Sequence, residues 1–368
     1  MMLAIAEIRR ARGRFISIIA ALSLITFLVL TLSALSDGLF YGSTGAIKST
    51  NANAYAFSAD AQGSLIRSQL PADDVAKFTS VSGVQQAAPV GVLLTSGSGP
   101  DGEVDLAVFG VQPGGVGVPT TVTQGRLPNP GENGAAAVDQ KLTDKGVAVG
   151  STLTVGDTKV TVVGLTRDSQ YQLQPSVWTT VPTWSKMRAS VRPETRGLAP
   201  NVSAVALQLA DGTDLDAVAA AVPGTSVLTS DQTALAIPGV AQQRSTLSAI
   251  VGTTLVVAAI VVALFFALVV LEKRELFAAL KALGTSTARL GRDVILQALI
   301  ASVIGVIFGA IASRLLGLIA PETVPTLFRT DTLINIAIFT IVASVLGALF
   351  SLRRIARIDP ATALGGTL

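Results

Sequence analysis

Four long apolar runs, one near the amino terminus and three crowded into the last third, constrain this 368-residue chain more than any other feature. They are Phe15–Ser36, Leu247–Leu271, Val294–Ile319 and Leu333–Leu352. Each reaches the roughly 20 residues that a helix needs to cross a hydrocarbon core about 30 Å thick. Half of the residues are hydrophobic, only 14% are charged and the mean hydropathy is +0.59, values that place the chain in a membrane. A secretory signal is the competing reading of the first run, with Arg9, Arg10, Arg12 and Arg14 as its basic region and Ser33-Ala34-Leu35 near a cleavage-like site. Its length favours an anchor, because signal h-regions run only about 7 to 15 residues.

Loop charge orients the four spans. Arg9, Arg10, Arg12 and Arg14 precede the first; Lys273, Arg274, Lys281, Arg289 and Arg292 lie between the second and third; Arg353, Arg354 and Arg357 follow the fourth. Against five acids on that side (Glu7, Glu272, Glu275, Asp293, Asp359) these twelve give +7, which leaves −4 for the other side of a chain whose net charge is +3. The positive-inside rule then expects a multi-pass protein of the plasma membrane with both termini cytoplasmic. Residues 37–246 and the loop 320–332 fall outside. The expected organisation is a cytoplasmic amphipathic amino terminus (1–14), a first span with an outward extension (15–45), an extracytoplasmic mixed α/β domain (46–240), a second span (241–271), a cytoplasmic helical region (272–293), spans at 294–319 and 333–352 flanking the outer loop, and a cytoplasmic tail (353–368).

The inserted segment is soluble in character. Ser151–Leu165 alternates around Gly156-Asp157, as a hairpin does whose tight turn needs positive φ. Gly102–Val111 and Val202–Leu209 read as strands, and Asp214 is placed to cap a helix running to Val222, so that Val202–Leu228 forms a strand-helix-strand unit. Gly38 to about Ala61 extends the first helix before the domain proper. Gly305 and Gly309 on the third span continue a small-residue stripe from Ala298 and Ser302, read here as packing within one subunit.

Chemistry is sparse. With neither cysteine nor histidine, the chain lacks thiolate ligands, a cysteine nucleophile and the commonest general base. No GxxxxGK[ST] pattern occurs, so ATP is not held by a P-loop here, and no HExxH, GxSxG or GxGxxG occurs. Pro113-Gly114-Gly115 reads as a turn. A membrane-bound enzyme is disfavoured on these grounds, and nothing suggests a nucleic-acid partner.

The stretch Leu271–Ser286 is more telling. Leu276, Leu280 and Leu283 recur at helical spacing, Gly284 is placed to end the helix, and Ser286 to start the next. Arg274, Glu275, Leu280, Lys281, Ala282, Leu283, Gly284 and Ser286 match the segment that follows the second span in the MacB/FtsX family of ABC transporter permeases, and the carboxyl end, with Pro360, Ala363 and Leu364, is similar to that family's terminal P-x-x-A-L signature. With the one-plus-three layout, the resemblance covers essentially the whole chain. It implies a half-transporter of two copies paired through the first two helices, each docked on a separate cytoplasmic ATPase that binds the ATP, with force transmitted across the membrane. The implied ATPase contacts are Arg9, Arg10, Glu272, Arg274, Glu275, Leu280, Lys281 and Gly284.

Within that family the chain most resembles the compact HrtB/DevC-like branch, through its length and Ser36–Gly42. The resemblance implies export of haem, or a similar amphiphile, taken sideways from the outer leaflet. The implied site comprises Leu35, Leu39, Phe40 and Tyr41 from the first helix and Gln243, Arg244, Leu247 and Val251 from the second. Arg244 suits a propionate and Phe40 an apolar ring. Without histidine or cysteine, any iron ligand would have to be Tyr, Met, Glu or Asp, with Tyr41, Tyr55, Tyr171 and Met187 the first candidates. FtsX-like control of cell-wall hydrolases and MacB/LolC-like export of peptides or lipoproteins are the alternatives. No cofactor intrinsic to the chain is expected.

Overall fold

The computed structural model describes residues 12–197, 201–272, 274–321 and 324–356. In chain order its elements are α1 (Arg12–Lys48), β1 (Ala54–Ser58), β2 (Leu70–Pro71), α2 (Asp74–Thr79), β3 (Val84–Gly99), β4 (Gly102–Val111), β5 (Val122–Gly125), β6 (Ala135–Asp139), β7 (Thr152–Val155), β8 (Thr158–Thr166), β9 (Ser176–Thr180), α3 (Val181–Val191), β10 (Asn201–Val202), β11 (Ala204–Leu209), α4 (Leu215–Ala221), β12 (Thr225–Thr229), α5 (Ser230–Ala236), α6 (Val240–Glu272), α7 (Arg274–Ala282), α8 (Thr287–Ile319) and α9 (Thr330–Ala356). The chain divides into two compact units, one of residues 1–38 with 245–368, the other of residues 39–244.

Four helices are long and apolar enough to cross a membrane: Phe15–Lys48, Val240–Glu272, Ala288–Ile319 and Thr330–Phe350. At about 1.5 Å per residue, α1 and α6 each exceed the roughly 30 Å a hydrocarbon core requires. Ile18, Leu22, Phe266, Val270, Val294 and Ala301 share a core, while Leu24, Leu264, Phe308 and Phe350 point outward. Apolar residues all round are what a helix needs in lipid, where both faces meet hydrocarbon. The small stripe of α8 lies against α1: a Cβ on Gly305 would stand 2.7 Å from the Leu22 Cβ, and one on Gly309 would stand 2.7 Å from the Ser23 carbonyl. Packing within one subunit is therefore what these glycines serve. One turn further on, Thr31 and Ser313 share a hydrogen bond of 3.1 Å between the same helices.

The second unit is built on a ten-stranded mixed sheet in the order β12-β1-β11-β3-β4-β9-β6-β8-β5, with β7 pairing β3 and β8. β4 runs parallel to β9 and β6 to β8; the other pairings are antiparallel. The hairpin expected around Gly156-Asp157 is β7–β8, with Gly156 at φ +55°. Asp214 caps α4 by accepting from the Asp216 N–H, and β11, α4 and β12 form the expected strand-helix-strand unit. Two readings are corrected. The helical extension stops at Lys48, and β1 occupies Ala54–Ser58 of the stretch expected to continue it. The strand expected over Val202–Leu209 is divided at Ser203, whose Oγ accepts from the Val92 N–H at 2.9 Å.

The helix α3 covers one face of the sheet with Trp184 and Met187, both fully buried. Gly91 on β3 and Gly110 on β4 are directly paired, and together they form the flat bed on which the Trp184 indole lies. A Cβ on either would stand 2.5 Å from an atom of that side chain. Arg188 closes over the same ring at 4.9 Å.

Candidate functional site

In the second unit three of the expected cargo residues, Phe40, Tyr41 and Arg244, meet where α1 and α6 end in it. The Arg244 guanidinium lies 4.3 Å from the centre of the Phe40 ring, a cation–π distance, and Tyr41 meets Phe40 edge-on at 5.3 Å. Phe40 also packs against the domain core, which fixes its ring and so positions the arginine. Leu39 and Gln243 are half-buried and Arg244 is exposed.

In the first unit, Leu35 and Leu247 are half-buried, and Val251 turns into the bundle, where it packs with Leu255 against Val29 and Leu30. The helical period thus carries Val251 to the face of α6 that meets α1. What the reasoning from sequence missed is the other face of α6. Ser245, Thr246, Ala249, Ile250, Thr253, Thr254 and Val257, with Leu28 of α1, line an open groove of about 730 Å³. The run of hydroxyl-bearing residues at i, i+1, i+8 and i+9 was its available signal.

Three of the four candidate iron ligands are corrected. Tyr55, Tyr171 and Met187 are all buried in the second unit's core. Burial pushes the Tyr55 phenol up to about 12 despite its hydrogen bond with Thr50, and pushes Tyr171 higher still, so neither offers a phenolate. Tyr41 alone stands at the cluster.

At the other end of α6 lies the short amphipathic α7. Gly284, at φ +87°, ends it, and Ser286 caps α8 through the Arg289 N–H. Phe277 and Ala278 are buried in the bundle core and Leu280 packs against it. Leu280, one of the residues implied to meet the ATPase, is half-buried on the inward side of the helix. Leu276 and Leu283 face out instead, Leu283 being 83% exposed, alongside the exposed Glu272 and Glu275. Lys281 is half-buried. Arg9, Arg10 and the carboxyl-terminal signature lie outside the described residues, as does the side chain of Arg274.

A model of the MacB-like periplasmic core domain matches residues 16–225, and one of the FtsX-like permease C-terminal matches residues 248–360, so that the two cover the inserted sheet and the last three spans in order. The chain belongs to the MacB/FtsX family of ABC transporter permeases. The permease is 24% identical over 366 residues to an uncharacterized ABC transporter permease of Mycobacterium tuberculosis, covering 99% of each chain. It is 23% identical over 371 residues to a putative hemin transport system permease protein, HrtB, of Staphylococcus epidermidis, covering 100% of this chain and 99% of that one. Among solved structures, the periplasmic region of MacB from Actinobacillus actinomycetemcomitans aligns with a TM-score of 0.39 at 13% identity, over 50% of the permease and 92% of that chain. The permease is a multi-pass membrane protein, the membrane component of an ABC transporter.

Proposed function

We propose that the permease exports haem, or an amphiphile of the same shape and charge, working as two copies with a cytoplasmic ATPase docked on each. The observation that carries the reading is the Arg244 guanidinium held over the Phe40 ring at 4.3 Å. A cation fixed beside an aromatic surface receives a flat apolar ring and its carboxylate together. The groove of about 730 Å³ on α6 falls in the size range of small-molecule sites, and its hydroxyls suit a ligand that keeps polar edges. Full-length similarity to a protein named for hemin transport supports the same cargo. Tyr41 is the candidate axial ligand. Both termini lie in the cytoplasm on this reading, which follows the excess of basic residues on their side. The ATPase meets Leu276 and Leu283, with Glu272, Glu275 and Lys281 at the rim.

One observation favours a second reading, an FtsX-like transducer acting on a protein partner. Pro89, Pro113, Pro130 and Pro182 line a cleft of about 430 Å³ on the second unit. Haem titration of the permease–ATPase complex in lipid nanodiscs separates the two. The export reading expects a shift of the haem Soret band, stimulation of ATP hydrolysis, and at least tenfold weaker haem binding in Arg244→Glu. A complex that shows neither spectral binding nor stimulation removes haem and leaves the proline cleft. For the docking face, Leu276→Asp with Leu283→Asp is expected to release the ATPase on size-exclusion chromatography; retention of a stoichiometric complex refutes that contact.

A further inference from the structure

Within the second unit, the last turns of α1 are held in an unusual way. A tight turn, residues 168–173, lies directly on the helix backbone. The Ala46 N–H donates to the Gln170 carbonyl at 2.8 Å, and the carbonyls of Ser43 and Gly42 accept from the N–H groups of Gln172 and Leu173 at 3.0 and 2.9 Å. Main chain reaches main chain only because the helix lacks side chains there. A Cβ on Gly42 would stand 2.8 Å from a Leu173 methyl, and one on Gly45 would collide with the Asp168 carbonyl.

The turn is strained and firmly anchored. Asp168, Gln172 and Leu173 have φ of +56°, +50° and +66°, three of the four positive values at non-glycine residues among the described residues. Such conformations cost about 1–3 kcal/mol each and persist only where the surroundings over-determine them. The surroundings do so here. Asp139, 1% exposed at the end of β6, accepts from the Ser169 N–H at 3.0 Å and the Ser169 hydroxyl at 2.8 Å. The Ser176 hydroxyl donates to Ser169, and the Trp178 indole N–H donates to Ser176, both at 2.7 Å. A buried chain in which every donor has its acceptor resists deformation. It runs from the turn into β6 and β9, neighbours in the sheet.

We infer that residues 168–173 are a rigid strap fastening α1 to the sheet, with Asp139 and Ser169 as its positioning residues, so that axial displacement of α1 reaches β6 and β9 without slack. The inference rests on the proposed function, in which a docked ATPase drives the permease and force is transmitted across the membrane through the first two helices. A flexible joint at Lys48 would absorb such movement; three backbone bonds and a buried carboxylate do not.

Hydrogen exchange on the full permease–ATPase complex in nanodiscs tests this, following peptides 39–50 and 165–176 with and without a non-hydrolysable ATP analogue. In the native chain exchange at Ala46, Gln172 and Leu173 is expected to be slow and unchanged by nucleotide. Gly45→Leu and Asp139→Asn are expected to speed it at least tenfold, to keep basal ATP hydrolysis within twofold, and to lose its stimulation by haem. Ser169→Ala, which removes one hydroxyl and leaves the backbone bond, gives the same pattern more mildly if the others fail to fold. Nucleotide-dependent opening of the strap in the native chain overturns the inference. So does a variant whose strap exchanges tenfold faster and whose haem stimulation is intact. A native complex without haem stimulation refutes the cargo, and the nucleotide arm of the exchange experiment still decides the strap.

Discussion

Leucine in place of Gly309 is expected to prevent α1 and α8 from packing and to leave little folded permease in detergent. Overfilling a packed site usually costs about 1–3 kcal/mol, because neighbouring side chains can shift. Here the neighbours include backbone: the Ser23 carbonyl at 2.7 Å and the Phe27 nitrogen at 3.0 Å from a built Cβ. Relief requires moving a whole helix, which also breaks the hydrogen bond between Thr31 and Ser313 in a setting without water to replace it. The cost therefore lies at or above the upper end, about 3 kcal/mol. Size-exclusion profiles and thermal midpoints of the purified variant check this; a midpoint within about 2 °C of the native value would show that the helices are not in contact there. Gly252 of α6 has open space around it and serves as the control, since Gly252→Leu is expected to leave the midpoint unchanged.

Truncating Trp184 to alanine is the second large effect. The indole is fully buried, lies on the paired glycines of β3 and β4, and carries Arg188 on its outer face. Removing a buried tryptophan costs about 3–5 kcal/mol, because the cavity collapses only partly. A glycine bed makes collapse harder still, since no side chain there can swing in to fill the space. For a unit of this size each kcal/mol lowers the midpoint by about 2–4 °C, so a fall of about 6–20 °C is expected. The chain has two tryptophans, so Trp178 alone reports unfolding by fluorescence in the variant. Gly110→Val attacks the same contact from below and should destabilise comparably. A variant at either position that melts with the native chain would show that α3 does not rest on these strands.

The spans were legible because a bilayer leaves few choices: a long apolar run must be a helix, and every backbone group must be satisfied within it. Local punctuation was equally readable, since Gly284, Ser286, Asp214 and Gly156 each answer a requirement of a few neighbouring atoms. Facing was not. In lipid an apolar side chain is welcome on either side of a helix, so Val251 gave no sign that it turns inward; on the short α7 three leucines recur, and nothing in the residue type told the inward Leu280 from the outward Leu276 and Leu283. Small residues were the better guide, and the pair Gly305 and Gly309 marked a true contact. In the second unit the order of strands escaped because it depends on pairings far apart in sequence, such as β1 with β12. The strap escaped for a different reason: residues 168–173 look like any polar loop, and only Gly42 and Gly45, three residues apart on a helix, hinted that something comes close.

The pairing of β1 with β12 also brings together the two places where the chain enters and leaves the sheet. Ser230 donates its N–H to the Asn53 carbonyl at 2.9 Å and its hydroxyl to Ala52 at 2.7 Å, while Lys48 pairs with Asp231. Everything between residues 53 and 230 is thus a cassette with a closed neck. Strands can be added, lost or exchanged beyond that neck without respacing residues 48 and 231, which frame it.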